Sequence, residues 1–117
     1  MKTDIKSKMY IAVLDEAPDY MVPTLVAHTM INAHINLNTY PEYRDWLVNS
    51  FKKVVLRVSR SEYEKIKNKV KVYYEGYENT ICNAEGSCIV VLPSDDHPWI
   101  LRQAKMWAPR SERGASE

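Results

Sequence analysis

Glycine is scarce, with only three in 117 residues. That excludes collagen-like repeats and Gly-rich linkers, which need glycine throughout. It also leaves the chain without the clustered glycines of a dinucleotide fingerprint or a phosphate loop. Cysteine is nearly absent: Cys82 and Cys88 lie six positions apart, with no CxxC or HxxxH pair. A structural zinc site takes about four such ligands, so no metal is expected and none is assigned. The two cysteines read as reduced thiols of a cytoplasmic protein. Long apolar runs are missing too. The runs Met9 to Leu14 and Cys88 to Pro93 fall far short of the roughly 18 residues of a membrane span. Met1 to Lys8 is polar with alternating charge and has no apolar core, so it is not a secretory signal. Finally, 16 basic residues almost cancel 15 acidic ones, which excludes a uniformly basic nucleic-acid coat.

The composition is that of an ordinary globular domain, 45% hydrophobic and 26% charged. Its length fits one domain. The charge is uneven. From Phe51 to Lys71, eight basic residues face only Glu62 and Glu64, a local charge of +6 that leaves −5 for the rest. A local phosphate-contact surface therefore remains open even though a global one does not.

Periodicity supplies the elements. Met9 to Leu14, MYIAVL, is continuously apolar and ends in DEAPDY, the pattern of a strand buried on both faces. Pro23 suits the first turn of a helix running to Leu37, with Val26, Met30, Ala33 and Leu37 as its inner stripe. His28, Ile31 and Ile35 flank that stripe. Thr39 and Glu42 have capping-box spacing around Pro41, predicting a helix over Tyr40 to Asn49 with Tyr43, Trp46 and Leu47 inward. Phe51 to Val58 reads as a strand. Ser59 with Glu62, or Ser61 with Glu64, caps a helix that buries Tyr63, Ile66 and Val70. Val70 to Glu75 and Ser87 to Leu92 read as two more strands around a polar loop. Asp95 or Asp96 is the expected cap of a last helix, with Ile100, Ala104 and Trp107 inward. The order β-α-α-β-α-β-β-α predicts an α/β domain over residues 9–108, a mixed four-stranded sheet with helices on both faces. Residues 1–8 read as a polar arm and 109–117 as a disordered tail.

Ligands of such sheets sit beyond the carboxyl ends of the strands, near helix starts. Asp19, Met21 and Thr24 lie there. Backbone N–H groups at that helix start suit an anion, whereas Asp15, Glu16 and Asp19 repel one. Lys53 and Arg57 lie beside the basic helix as phosphate contacts, and Tyr77, with Tyr73 and Tyr74, offers rings for base stacking. His28 is the first helix's titratable group. GxSxG is absent; Gly86-Ser87-Cys88 opens a strand, so a nucleophile elbow is excluded.

The strand MYIAVL, the helix carrying Val26-Ala27-His28, and Gly86-Ser87 before an apolar strand together resemble the type 2 peptidyl-tRNA hydrolase family over about Lys8 to Pro109. The resemblance implies a mixed four-stranded sheet and metal-free, cofactor-free hydrolysis of the ester between a peptide and tRNA. His28 matches the family's histidine. Met21 stands where the family has its catalytic lysine, and Leu25 where it has glutamine. In the loop EGYENTICNAE, Glu75 or Glu78 stands for the family's aspartate and Thr80 for its threonine. A lysine can stabilise a phosphate or a developing oxyanion; methionine does neither. The resulting expectation is a degenerate relative that binds tRNA or a nucleotide-like small molecule without turnover, in the cytoplasm and off the membrane. An active hydrolase using His28, Glu75 or Glu78, and Thr80 is the alternative. A protein-interaction module, which a homodimer would also satisfy, is the second alternative.

Overall fold

The computed structural model describes residues 7–110. Its elements are β1 (Lys8–Leu14), a 3-10 turn (Asp19–Met21), α1 (Val22–Leu37), α2 (Pro41–Asn49), β2 (Lys52–Val58), α3 (Arg60–Lys69), β3 (Tyr73–Gly76), a second 3-10 turn (Cys82–Ala84), β4 (Cys88–Val91) and α4 (Trp99–Arg102). The strands form one sheet in the order β2-β1-β4-β3. β1 runs parallel to β2 from Lys8↔Lys52 to Leu14↔Val58, and β4 is antiparallel to both β1 and β3. The architecture is the expected mixed α/β one.

The continuous apolar run of β1 is explained by burial on both sides. Met9, Ile11 and Val13 join Leu25, Tyr43, Trp46 and Val90 under α1 and α2. Tyr10, Ala12 and Leu14 join Leu56, Val58, Tyr63, Ile66 and Leu101 under α3 and α4. A helix layer on each face leaves no polar side for the central strand, which removes the usual alternation.

Several local expectations are corrected. The inner stripe of α1 is Val22, Leu25, Thr29, Ala33 and Leu37, while Val26 and Met30 are only partly buried. The helix is rotated by one residue because Thr29 packs on Gly76 of β3. A Cβ at Gly76 would lie 2.3 Å from Thr29 Oγ1. The Thr29 hydroxyl donates to Leu25 O at 2.7 Å, so its burial leaves no polar group unpaired. On α2, Leu47 is exposed rather than inward. No capping box forms at Thr39. The N-cap is Tyr40, extended because Pro41 follows it. The Ser59–Glu62 box on α3 is present: Glu62 N–H donates to Ser59 Oγ at 3.1 Å, and Ser59 N–H donates to Glu62 Oε1 at 2.8 Å. β3 starts at Tyr73 rather than Val70, since α3 runs to Lys69 and Val70 closes it.

The last helix is a single turn capped by Pro98, not by Asp95 or Asp96, and its buried residue is Leu101. Trp107 lies beyond it and packs on the α1 side. There the chain runs along β2: Arg57 N–H donates to Lys105 O at 2.9 Å and Trp107 N–H to Val55 O at 2.8 Å. That covers an edge strand which would otherwise offer unpaired backbone groups. Residues 109 and 110, read as the start of a tail, are within the described structure, and Arg110 is bonded to Asp15 and Asp19. Residues 1–6 and 111–117 lie outside the described residues. Among the described residues no helix is long and apolar enough to cross a membrane.

Candidate functional site

The parallel pair β1–β2 directs its carboxyl ends to one edge, where Asp15 N–H donates to Val58 O at 2.8 Å. Arg57 leaves β2 there. Its guanidinium lies 3.2 Å from Asp19 Oδ1, donates to Ala108 O at 2.6 Å and sits 4.8 Å over the Trp107 ring. Arg110 reaches the same carboxylate, with Nε 3.2 Å from Oδ1 and its backbone N–H 2.7 Å from Oδ2. Its guanidinium also donates to Asp15 O at 2.6 Å. The Arg110 backbone N–H above all, helped by the Arg57 and Arg110 guanidiniums, holds the Asp19 carboxyl below the usual carboxylate range against the opposing effect of burial. The cleft of about 500 Å³ at this edge is lined by Asp15, Arg57, Lys105, Met106 and Ala108–Arg110. Three cations and one acidic residue, Asp15, therefore line one concavity, and Asp19 beside it pairs with both guanidiniums.

A second constellation lies beside α1. His28 is exposed, and its Nδ1 stands 3.7 Å from Oε2 of Glu78 in the β3–β4 loop. Thr24 is exposed one helical turn before His28, and Thr80 and Tyr77 are exposed on the same loop as Glu78. Met21 is partly buried against the α1-side core, so its thioether serves packing.

The two carboxylates that the sequence left as alternatives are separated by the sheet. Glu75 faces α3, not His28: it accepts from Tyr63 Oη at 2.8 Å and lies 3.3 Å from Lys67 Nζ. Burial and the Glu75 carboxylate push the Tyr63 hydroxyl far above its ordinary range. Burial works against the Lys67 charge, but Glu75 and Glu64 together leave the ammonium pKa raised. A Cβ on Gly86 would lie 2.1 Å from Glu75 Oε2. The glycine thus makes room for this partly buried network, which holds the Glu75 carboxylate on the α3 side.

Lys53 also parts from the cleft. Its ammonium sits 3.4 Å above the Phe51 ring and donates to Phe51 O at 2.8 Å. Lys53 and Arg57 share a face of β2 but lie four residues apart, roughly 13 Å at strand rise. The basic helix is partly neutralised: Arg60 pairs with Glu16 and Glu64, and Lys67 with Glu64 and Glu75. Tyr73 packs toward α3 and Tyr74 toward α1, as sheet residues rather than a stacking platform. The cleft residues that sequence reasoning missed are Lys105, Trp107 and Arg110. The one signal was a tryptophan close to a segment otherwise poor in apolar residues.

Among the described residues no three His, Cys, Asp or Glu side chains gather as metal ligands. Both thiols are free; burial pushes Cys88 up to about 12 and also raises Cys82, which disfavours the thiolate form at both. Set against models of known protein families and against curated proteins, the chain matches none.

Proposed function

We propose that this protein binds a phosphate-bearing ligand, RNA or a nucleotide-like molecule, in the cleft at the carboxyl ends of β1 and β2, without turning it over. The observation that carries this reading is the convergence of Arg57 and Arg110 on the single carboxylate of Asp19, with Lys105 on the same cleft wall. Two guanidiniums held in place by a ring and by backbone carbonyls are already oriented, so a phosphate meets donors that need little ordering. Asp19 keeps those cations soluble and placed in the free protein. A phosphate displaces or shares it. The absence of a lysine at Met21 argues for binding rather than turnover.

The test is a titration of tRNA, and separately of ATP and of inorganic phosphate, at rising salt. Affinity for tRNA should fall steeply with salt. Arg110→Ala should weaken binding about tenfold, while Lys69→Ala on the far helix should not. Salt-independent binding, or equal loss in both variants, would remove the cleft from consideration.

A second reading has its own observation, the His28–Glu78 approach at 3.7 Å. A carboxylate beside an imidazole can orient it as a general base, as ester hydrolysis on peptidyl-tRNA requires. Turnover of an N-blocked aminoacyl-tRNA, lost in His28→Ala and in Glu78→Gln, would establish it. No turnover would leave the binding reading alone.

A further inference from the structure

Away from the cleft, α1, α2 and the start of β2 enclose an apolar groove of about 330 Å³. Its floor is Tyr43 and Trp46, both 1% exposed. Its walls are Ile31 and Ile35 of α1 and Leu47 and Phe51, with exposures of 66%, 63%, 37% and 56%, and Met30, His34 and the edge residue Lys53 complete the lining. These four side chains leave on the order of 400 Å² of apolar surface in water, within the ~300–600 Å² of the largest patches on monomers, which are often functional.

Phe51 adds a second observation. It closes α2 with φ of 64°, and its N–H donates to Trp46 O at 2.6 Å. That left-handed position after a helix normally takes glycine or asparagine. A bulky aromatic there is strained, yet its ring is half in water. The left-handed turn directs this ring onto the groove wall, with one side against the Lys53 ammonium, rather than into the core.

A third observation identifies the occupant. Between Asp19 and Glu42 the chain has no Asp, Glu, Lys or Arg, although a quarter of the protein is charged. The exposed residues of α1 include His28, Ile31, His34, Ile35 and Asn36. Loss of charge at the centre is a mark of interfaces. It matters most in a two-fold contact, where each charge near the axis meets its own copy. The patch also holds both halves of a fit: a ridge, Ile31 and Ile35 at i, i+4, beside a groove. Self-complementarity of this kind is the condition for an isologous dimer. About 800 Å² per partner, somewhat over half of it apolar, makes a standard interface, and this patch supplies most of that apolar share. From these observations we infer that the α1–α2 groove is the interface of a homodimer, each copy laying its Ile31–Ile35 ridge into the other's groove. This goes beyond the ligand cleft and does not depend on it.

The experiment is sedimentation velocity on the full chain across concentration. A reversible dimer with Kd of about 1–100 μM is expected, changing little with salt because the contact is apolar. Ile35→Glu and Ile31→Lys should each weaken it by at least about tenfold. Both residues are exposed, so thermal midpoints at low concentration should match wild type and show that the fold persists. Val48→Glu, exposed at 79% on α2 but outside the groove lining, should leave the dimer intact. A monomer up to about 200 μM would overturn the inference and leave a helix of another protein as occupant. A dimer indifferent to Ile35→Glu, or broken equally by Val48→Glu, would overturn it too.

Discussion

The two faces of the sheet bury similar apolar cores but present opposite outer surfaces. The α3–α4 face is closed by polar links at its rim: the Ser59–Glu62 box, the Tyr63–Glu75–Lys67 cluster and the Arg60–Glu16 pair. Its exterior is charged and solvated. The α1–α2 face buries the largest rings, Tyr43 and Trp46, yet leaves isoleucines and a phenylalanine in water beside them. The difference shows what one chain can satisfy alone. Charges find partners within the same molecule or in water. Apolar surface is removed from water by more apolar surface, and among the described residues these α1–α2 side chains stay exposed.

The comparison can be broken most sharply at Trp46. Trp46→Ala removes the groove floor, the packing on Tyr43 and Phe51, and the indole bond to Lys52 O at 2.7 Å. It should cost about 3–5 kcal/mol, measured by urea denaturation at concentrations where the chain is monomeric. Next comes the seam between α1 and β3. Gly76→Ala should destabilise by about 1–3 kcal/mol through collision with Thr29. The double variant with Thr29→Ala should recover part of that loss; simple additivity would disprove the contact as its cause. On the other face, Ser59→Ala should cost about 1 kcal/mol by removing the cap of α3, with no effect on oligomeric state.

The smallest expected effect is a pH dependence on the α3–α4 side. His97 is buried edge-on against Tyr10, with Nε2 2.7 Å from Lys8 O. Burial holds its pKa below the ordinary histidine value. The unfolded chain therefore takes up this proton first, and stability is lost as pH falls from about 6.5 through the lower folded value. The thermal midpoint of wild type should drop across that window relative to His97→Asn. A difference unchanged with pH would show that His97 does not titrate with unfolding.

Local signals were legible wherever one residue's neighbours in sequence are also its neighbours in space. The six apolar residues from Met9 could be read as a doubly buried strand, because only burial on both sides tolerates such a run. Ser59 and Glu62 cap each other across three positions. His28 could be singled out as a titratable group on α1. Thr29 was passed over because a hydroxyl reads as polar, while its bond to Leu25 O hides that polarity. Glu75 and Glu78 were indistinguishable, being three residues apart. The pleat of β3 turns the first toward α3, and the loop carries the second to His28.

Length, patterning and punctuation by proline and capping pairs were enough to determine the class of this protein: one α/β domain with a mixed four-stranded sheet. Tertiary structure alone decided which cations share a cleft, which carboxylate meets His28 and which apolar side chains remain in water. Arg57 and Arg110 are 53 positions apart, and only the run of residues 105–108 along β2 brings both to Asp19. Contacts within a turn of helix or a strand follow from local geometry. Contacts between distant segments follow from how whole elements pack, and composition does not encode that packing residue by residue.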